Sequence, residues 1–353
     1  MSGQIVNDPP VPATKAAHQH GGSARGLLRG YGALLIAALI AACAPLLVLD
    51  SYSQRVVATA FMYLALAQAW NLIGGYAGLM SLAMPAFFGT GAMLTAALVV
   101  GGMSPLLAVG CGILAALLVA ALVGGPTLRL QGHYFVVATL LITEALRNAV
   151  LNINAFGFSG STTLNLFNAT ALGQLDAPQF NLFFYFVMLA LALGAMIIVA
   201  AFERSRTGYA LRSIRDNERA ARALGVAVAR QKMLVFLVSA GMTALVGAAW
   251  AFWLGAVDTN EAFGFRLSFD VIVMVFLGGR GSLWGPVAGV AVLTAVHETI
   301  GVSFPELHMV ISGVLVALIV LFQPDGIASA MRDGLRAFAP ARLRANLLRY
   351  RVK

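Results

Sequence analysis

Ionisable side chains inside apolar segments are the residues of this chain that could do chemistry. Glu144 and Arg147 lie three residues apart in one apolar run, and His297 and Glu298 are adjacent in another. A charged residue inside a membrane costs roughly 2.5 to 3.5 kcal/mol on insertion scales, so such groups tend to pair or to serve a transport pathway. The spacing of Glu144 and Arg147 predicts a pair on one helix face, either a structural clamp or part of a solute pathway.

Other polar groups and two glycine clusters accompany these charges. Asn71, Thr139 and Asn148 either join helices by hydrogen bonds or contact a solute. Glycines within apolar segments permit broken helices or close packing; they stand at Gly74, Gly75, Gly78, Gly278, Gly279, Gly281 and Gly285. Both clusters follow a span predicted to run inward, which is compatible with an internal duplication.

Local enzyme signatures are missing from the sequence. It has no GxxxxGK[ST] phosphate loop, no HExxH and no nucleophile elbow. The segment Gly278–Gly285 lacks the lysine of a phosphate loop, so a tight turn is favoured over a nucleotide site. Cys43 and Cys111 lie in apolar runs and imply neither a disulfide nor a metal site. We therefore expect no catalytic residue, metal or cofactor on this chain.

The composition indicates an all-α, polytopic membrane protein. Of 353 residues, 60% are apolar and 10% charged, whereas a soluble domain is roughly a quarter charged. A spanning helix needs about 20 mostly apolar residues. The sequence offers ten such segments, at about 31–49, 55–73, 81–101, 105–125, 133–151, 181–202, 232–254, 265–278, 286–302 and 308–323.

The distribution of basic residues predicts the orientation. With a cytoplasmic N-terminus and ten crossings, the cytoplasmic segments hold 20 of the 23 Lys and Arg residues. Cytoplasmic connections are rich in these residues, so both termini are expected inside. We therefore attribute the net charge of +9 to the Lys and Arg residues that set the membrane topology, and we expect no nucleic-acid partner.

This topology divides the chain into five parts. They are a disordered arm at 1–30, six spans at 31–202, a cytoplasmic loop at 203–231, four spans at 232–323 and a basic tail at 324–353. The run up to Cys43 has the look of a lipoprotein cleavage box, but its length favours a membrane span.

The cytoplasmic loop is unusually basic, with eight Lys and Arg residues between Arg204 and Lys232. A short helix is predicted after Gly208, and a second one begins at an N-cap, Asp216 or Asn217, and stops at Gly225. The second helix would carry Ala220, Ala221 and Leu224 on one side and Arg219 and Arg222 on another. Such an elbow could enter a groove on a partner, or its arginines could only fix topology or touch anionic lipid.

Four blocks of sequence carry a family resemblance. The loop, with Arg206-Thr-Gly208 and the run from Ala210 to Gly225, resembles the coupling segment of permease subunits from branched-chain amino acid type ABC importers. The segments 71–92 and 274–289 are similar to the family's early and late glycine-rich blocks, and 132–144 to a span of its second permease type.

The resemblance implies a division of labour among several chains. This chain would form half of a pore with a sister permease subunit, take solute from a periplasmic solute-binding protein, and be driven by two ATP-binding subunits in the bacterial inner membrane. ATP would bind to those partners. The residues implied in coupling are Gly208, Arg212, Arg215, Asp216, Asn217, Glu218, Ala221 and Gly225.

The sequence constrains the identity of the solute less than it constrains the class of protein. The family's early block commonly reads Ser-Leu-Gly-His-Ala, whereas here Ser81-Leu82 is followed by Ala83-Met84-Pro85, which removes a hydrogen-bonding imidazole. Branched-chain or other amino acids, urea or amides, and organic acids all stay open. The rival hypotheses are an ion-gradient-driven transporter using Glu144, His297 and Glu298, and a membrane-embedded enzyme or assembly factor.

Overall fold

Helices make up most of the part of the protein that the computed structural model describes, which is residues 50–130, 132–152, 164–166 and 176–301. The helices are α1 (Ser51–Trp70), α2 (Met84–Val100), α3 (Pro105–Thr127), α4 (His133–Asn152), α5 (Ala177–Arg204), α6 (Arg206–Asp216), α7 (Glu218–Ala223), α8 (Val228–Leu254), α9 (Thr259–Ala262), α10 (Phe265–Gly278) and α11 (Gly285–Gly301). A π-helical turn, Asn71–Tyr76, continues α1 without a break.

Long apolar helices confirm the prediction of a multi-pass, all-α membrane protein. Five of the described segments are long and apolar enough to cross a membrane, namely α1 with its π-helical turn, α3, α4, α5 and α8, and α2 is a shorter apolar helix. Each of the eight spans predicted between 55 and 302 has its helix. The other two, 31–49 and 308–323, lie outside the described residues, as do the predicted arm 1–30 and tail 324–353.

Small residues bring the central helices into close contact. α2 packs mainly against α8 and α3, and α1 packs against α5. A Cβ added at Gly91 would overlap the backbone of Ala244, and one added at Gly247 would overlap the carbonyl of Phe88. Interfaces between membrane helices are enriched in small residues for this reason, because backbone contact replaces the hydrophobic effect between them.

A pair of two-residue strands closes one end of the bundle. β1 (Leu164–Asn165) pairs antiparallel with β2 (Ala256–Val257), with Leu164 opposite Val257. The backbone N–H of Leu166 donates to the carbonyl of Gly255 at 2.7 Å, where α8 has just ended with a left-handed residue. The connection between α4 and α5 is thereby tied to the end of α8.

The crossing of α2 and α8 can be tested at its glycines. Gly247→Ala is expected to destabilise the protein by roughly 1 to 3 kcal/mol, because the added methyl group meets backbone that cannot move aside cheaply. Gly194→Ala on α5 is the matched control, since a Cβ there meets nothing within 4 Å. Thermal unfolding in detergent measures both, and equal stabilities of the two variants would contradict this packing.

Candidate functional site

Two glycine-rich segments meet inside the bundle, at the end of α1 and at the connection from α10 to α11. The fully buried Asn71 joins them. Its Oδ1 accepts a hydrogen bond from the backbone N–H of Gly281 at 2.8 Å, and its Nδ2 donates to the carbonyl of Ser282 at 2.9 Å. One turn earlier, Gln68 donates to the carbonyl of Leu283 at 2.7 Å. We call residues 71–78 and 278–285 together the glycine junction.

Glycine is required where the two segments approach most closely. A Cβ at Gly75 would overlap Asn71 Oδ1 and lie 2.5 Å from the backbone nitrogen of Gly281. Gly281 has a φ of +74°, a conformation that favours glycine. The remaining predicted glycines lie in the same junction. A Cβ at Gly74 would overlap the ring of Trp70, one at Gly278 the carbonyl of Gly285, and one at Gly285 the carbonyl of Gly279. Gly78 and Gly279 have a positive φ.

Side chains of α1 and α4 bond to the irregular stretch 77–83 after the π-helical turn. Thr139 Oγ1 of α4 accepts from the backbone N–H of Leu82 at 3.0 Å, and Thr143 Oγ1 donates to the Leu82 carbonyl at 3.2 Å. Trp70 Nε1 donates to the carbonyl of Ser81 at 2.9 Å. Thr139 therefore holds a broken helix in place. Thr143, one turn further along α4, was missed by the sequence analysis although its spacing offered a signal.

Helix α6 lies against the glycine junction. Ser205 caps its start by accepting from the backbone N–H of Gly208 at 3.1 Å. Gly208, Leu211 and Ile214 form its buried face. Arg212 bonds to Glu203 at 2.9 Å, and its guanidinium carbon lies 5.5 Å from the centroid of the Tyr76 ring, within the range of a cation–π contact.

Arg215 connects α6 to the π-helical turn. Its Nη1 donates to the carbonyl of Gly75 at 2.9 Å, across 140 residues of chain. Its Nε lies 3.4 Å from Oδ1 of the neighbouring Asp216, whose side chain is 72% exposed. The stem of Arg215 runs past Gly78, where a Cβ would come within 2.7 Å of its Cγ. Arg212 and Arg215 thus place two cations of one helix face on the π-helical turn.

Helix α7 is fastened on its inner side. Asn217, one of the two predicted caps, accepts from the backbone N–H groups of Arg219 and Ala220, both at 3.1 Å. Glu218 accepts from Lys232 at 2.7 Å and from Arg222 at 3.0 Å. Lys232 is only 3% exposed. The sequence analysis missed it, because a lysine at the start of an apolar run looks like an ordinary span boundary.

The predicted small-residue face of α7 is divided between the bundle and the open surface. Ala221 packs inward with Ile214 and Val228, whereas Leu224 is 83% exposed. Because α7 ends at Ala223 and the chain turns at Gly225, with a φ of +85°, Ala221 is the one fully buried residue of this short helix, and Glu218 is partly buried. Basic and apolar residues are both exposed on α7 and its C-cap, and we call them together the outer face of α7: Arg219, Ala220, Arg222, Ala223 and Leu224.

The charged residues predicted within the spans make their contacts outside the glycine junction. Glu144 and Arg147 form the expected ion pair at 3.0 Å, and Arg147 also donates to Asn260 of α9 at 2.8 Å. Asn148 donates to a carbonyl of its own helix. These contacts favour the clamp over the pathway role.

The last charged pair lies on α11. Glu298 accepts from the hydroxyl of Tyr52 at 2.6 Å, and the adjacent His297 is half-buried. In the part of the chain that the structure describes, no three His, Cys, Asp or Glu side chains could hold a metal ion together.

Comparison with known proteins gives the class. The family described as branched-chain amino acid transport system / permease component matches residues 52–320, and the chain belongs to this family. It is a transport permease of the membrane. No solved structure matches the chain.

Individual relatives agree with this assignment. The chain is 29% identical to the high-affinity branched-chain amino acid transport system permease protein LivM of Salmonella typhimurium, over 86% of this chain and 76% of the relative. The LivM protein of Escherichia coli K12 is 27% identical over the same shares. The autoinducer 2 import system permease protein LsrC of Enterobacter sp. is 32% identical over 33% of this chain and 35% of its own length.

Because Asn71 joins the two segments of the glycine junction, we expect its replacement to lower the stability of the protein strongly. Asn71→Leu leaves the partly buried N–H of Gly281 and the carbonyl of Ser282 without their partner, at roughly 1 to 3 kcal/mol each. Asn148→Leu is the control, because Asn148 is exposed and bonds to its own helix. Thermal unfolding should rank Asn71→Leu well below Asn148→Leu, and similar midpoints would show that the junction does not depend on this side chain.

The ion pair between Glu218 and Lys232 can be measured by a double-mutant cycle. Lys232→Met leaves Glu218 partly buried with only Arg222, and we expect a loss of roughly 3 kcal/mol, the lower end for a broken buried pair because Glu218 keeps some solvent contact. Adding Glu218→Gln should recover part of this loss. Strictly additive free energies of unfolding would contradict the coupling.

Proposed function

We propose that this chain is the permease subunit of an ATP-driven importer for branched-chain amino acids in the bacterial inner membrane. The family match over 52–320 supports the transport role, and the two LivM relatives carry this solute in their names. The pathway would run through the helical bundle. No cofactor is proposed on this chain, and ATP would be bound and hydrolysed by partner subunits.

The segment 203–231 is proposed to lie in the cytoplasm, with both termini on the same side. The concentration of Lys and Arg in this segment supports that orientation. One observation carries the proposed docking role: α7 is fastened to the bundle through Glu218 and Lys232 while its opposite face, including Leu224, is open. A segment of this kind can bind a partner and pass its movement to the spans.

The proposed assembly contains a sister permease subunit, two ATP-binding subunits and a periplasmic solute-binding protein. Exposed apolar side chains on α3, such as Leu106, Leu114 and Leu122, suit contact with membrane lipid or with the sister permease. Asn71 and Thr139 use their hydrogen-bonding groups on backbone partners. We therefore assign these two residues to holding the bundle and not to solute contact.

Uptake into proteoliposomes tests this function. The full complex, with ATP supplied on the side of its ATP-binding subunits and with the binding protein on the other side, should accumulate labelled leucine, isoleucine and valine. Ionophores that collapse ion gradients should leave this uptake unchanged. Uptake by this chain alone under an ion gradient would contradict the proposal and favour a secondary transporter.

The docking role has a variant of its own. Leu224→Ser removes an exposed apolar side chain from the outer face of α7 and should weaken binding of the ATP-binding subunit on the order of tenfold, as for a central interface residue. Leu254→Ser is the matched control, because Leu254 is an exposed leucine at the far end of α8. Affinity capture of the ATP-binding subunit by the membrane-inserted variants measures the effect. Equal capture by both variants would exclude Leu224 from docking.

A further inference from the structure

The π-helical turn ends inside the protein, where its last carbonyl groups need partners. The final carbonyls of a helix have no intrahelical donor and form the negative end of its dipole. Two of them receive backbone donors, since Ala77 N–H bonds to Leu72 and Leu79 N–H bonds to Ile73. The carbonyl of Gly75 receives Nη1 of Arg215 instead. A cation of α6 thus completes the end of α1.

The same guanidinium lies between both parts of the glycine junction. A Cβ at Gly78 would come within 2.7 Å of Arg215 Cγ, and a Cβ at Gly281 within 2.7 Å of Arg215 Nη1. The side chain therefore needs glycine on either side of it. A displacement of α6 would move this side chain relative to the carbonyl of Gly75 and to both glycine-rich segments.

Apolar packing joins α6 to α7 and to the start of α8. Ile214 of α6, Ala221 of α7 and Val228 of α8 share a small apolar cluster. Arg212, one turn before Arg215, lies over the ring of Tyr76. A force applied to the outer face of α7 accordingly reaches the π-helical turn through α6.

We propose that Arg215 is the positioning residue that ties the broken end of α1 and the connection from α10 to α11 to the α6–α7 segment, so that both glycine-rich segments move when this segment moves. The inference rests on the proposed function, because the force on α7 would come from a partner that binds ATP. Arg215 donates to a backbone carbonyl at the end of a broken helix, so the proposed effect is on transmission.

Hydrogen–deuterium exchange of the full complex in lipid nanodiscs, with and without a non-hydrolysable ATP analogue, tests this directly. In the wild type the analogue should change exchange in 206–223, in 77–83 and in 279–284. In Arg215→Met, which keeps the stem but loses the donor, the change in 206–223 should persist. The changes in 77–83 and 279–284, and the uptake per ATP hydrolysed, should fall on the order of tenfold, because a hydrogen bond to a charged group is lost.

Two further variants separate this role from a structural one. Arg215→Lys keeps the charge and one donor and should recover part of the transmission, and it carries the comparison if Arg215→Met does not assemble. Arg129→Gln removes an exposed cation from the end of α3 and should behave as the wild type.

The outcomes distinguish the two proposals. If the analogue alters 206–223 but not both glycine-rich segments in the wild type, or alters them equally in Arg215→Met, the role of Arg215 is overturned. If the analogue leaves even 206–223 unchanged in the wild type, the proposed docking function itself fails.

Discussion

A backbone group without a hydrogen-bond partner is very costly inside a membrane, and this constraint shapes the centre of the protein. Irregular backbone at membrane depth is tolerated only where other protein groups satisfy it. Here α1 loses its regular form at Asn71, and α10 stops at Gly278. The Asn71 side chain at the first break satisfies two backbone groups at the second, through the two hydrogen bonds of its carboxamide.

Glycine and polar residues have complementary tasks in this arrangement. Glycine lets the two segments come close enough for a short side chain to bridge them, and the carboxamide of Asn71 then supplies one donor and one acceptor. Thr139 and Thr143 do the same for the stretch after the π-helical turn. These polar residues within the spans therefore satisfy the backbone groups at the helix breaks.

Arg215 adds a connection that a purely structural break would not need. A π-helical turn departs locally from α-helical geometry, and such turns are frequent at functional sites. The cation that completes this turn comes from a short helix with an exposed partner face, and it passes between Gly78 and Gly281. One side chain thus links an open surface to two breaks in the bundle.

The sequence predicted the features that depend on local pattern. Apolar run length located the helices, and the cap at Asn217 and the turn at Gly225 followed from residue type and spacing. The meeting of Asn71 with Gly281, 210 residues apart, and the burial of Lys232 depend on tertiary packing and leave no periodic signal. Periodicity places Ala221 on one side of the helix with Ala220 and Leu224, but it does not give how much of that side the bundle covers, and only Ala221 is buried there.

The most direct measurement is an experimental structure of the assembled complex in lipid, at a resolution that shows side chains. The account predicts Arg215 within hydrogen-bond distance of the Gly75 carbonyl, Asn71 bridging to the 279–284 connection, and the outer face of α7 covered by the ATP-binding subunit. An Arg215 side chain directed into that subunit, with the two glycine-rich segments apart, would contradict it.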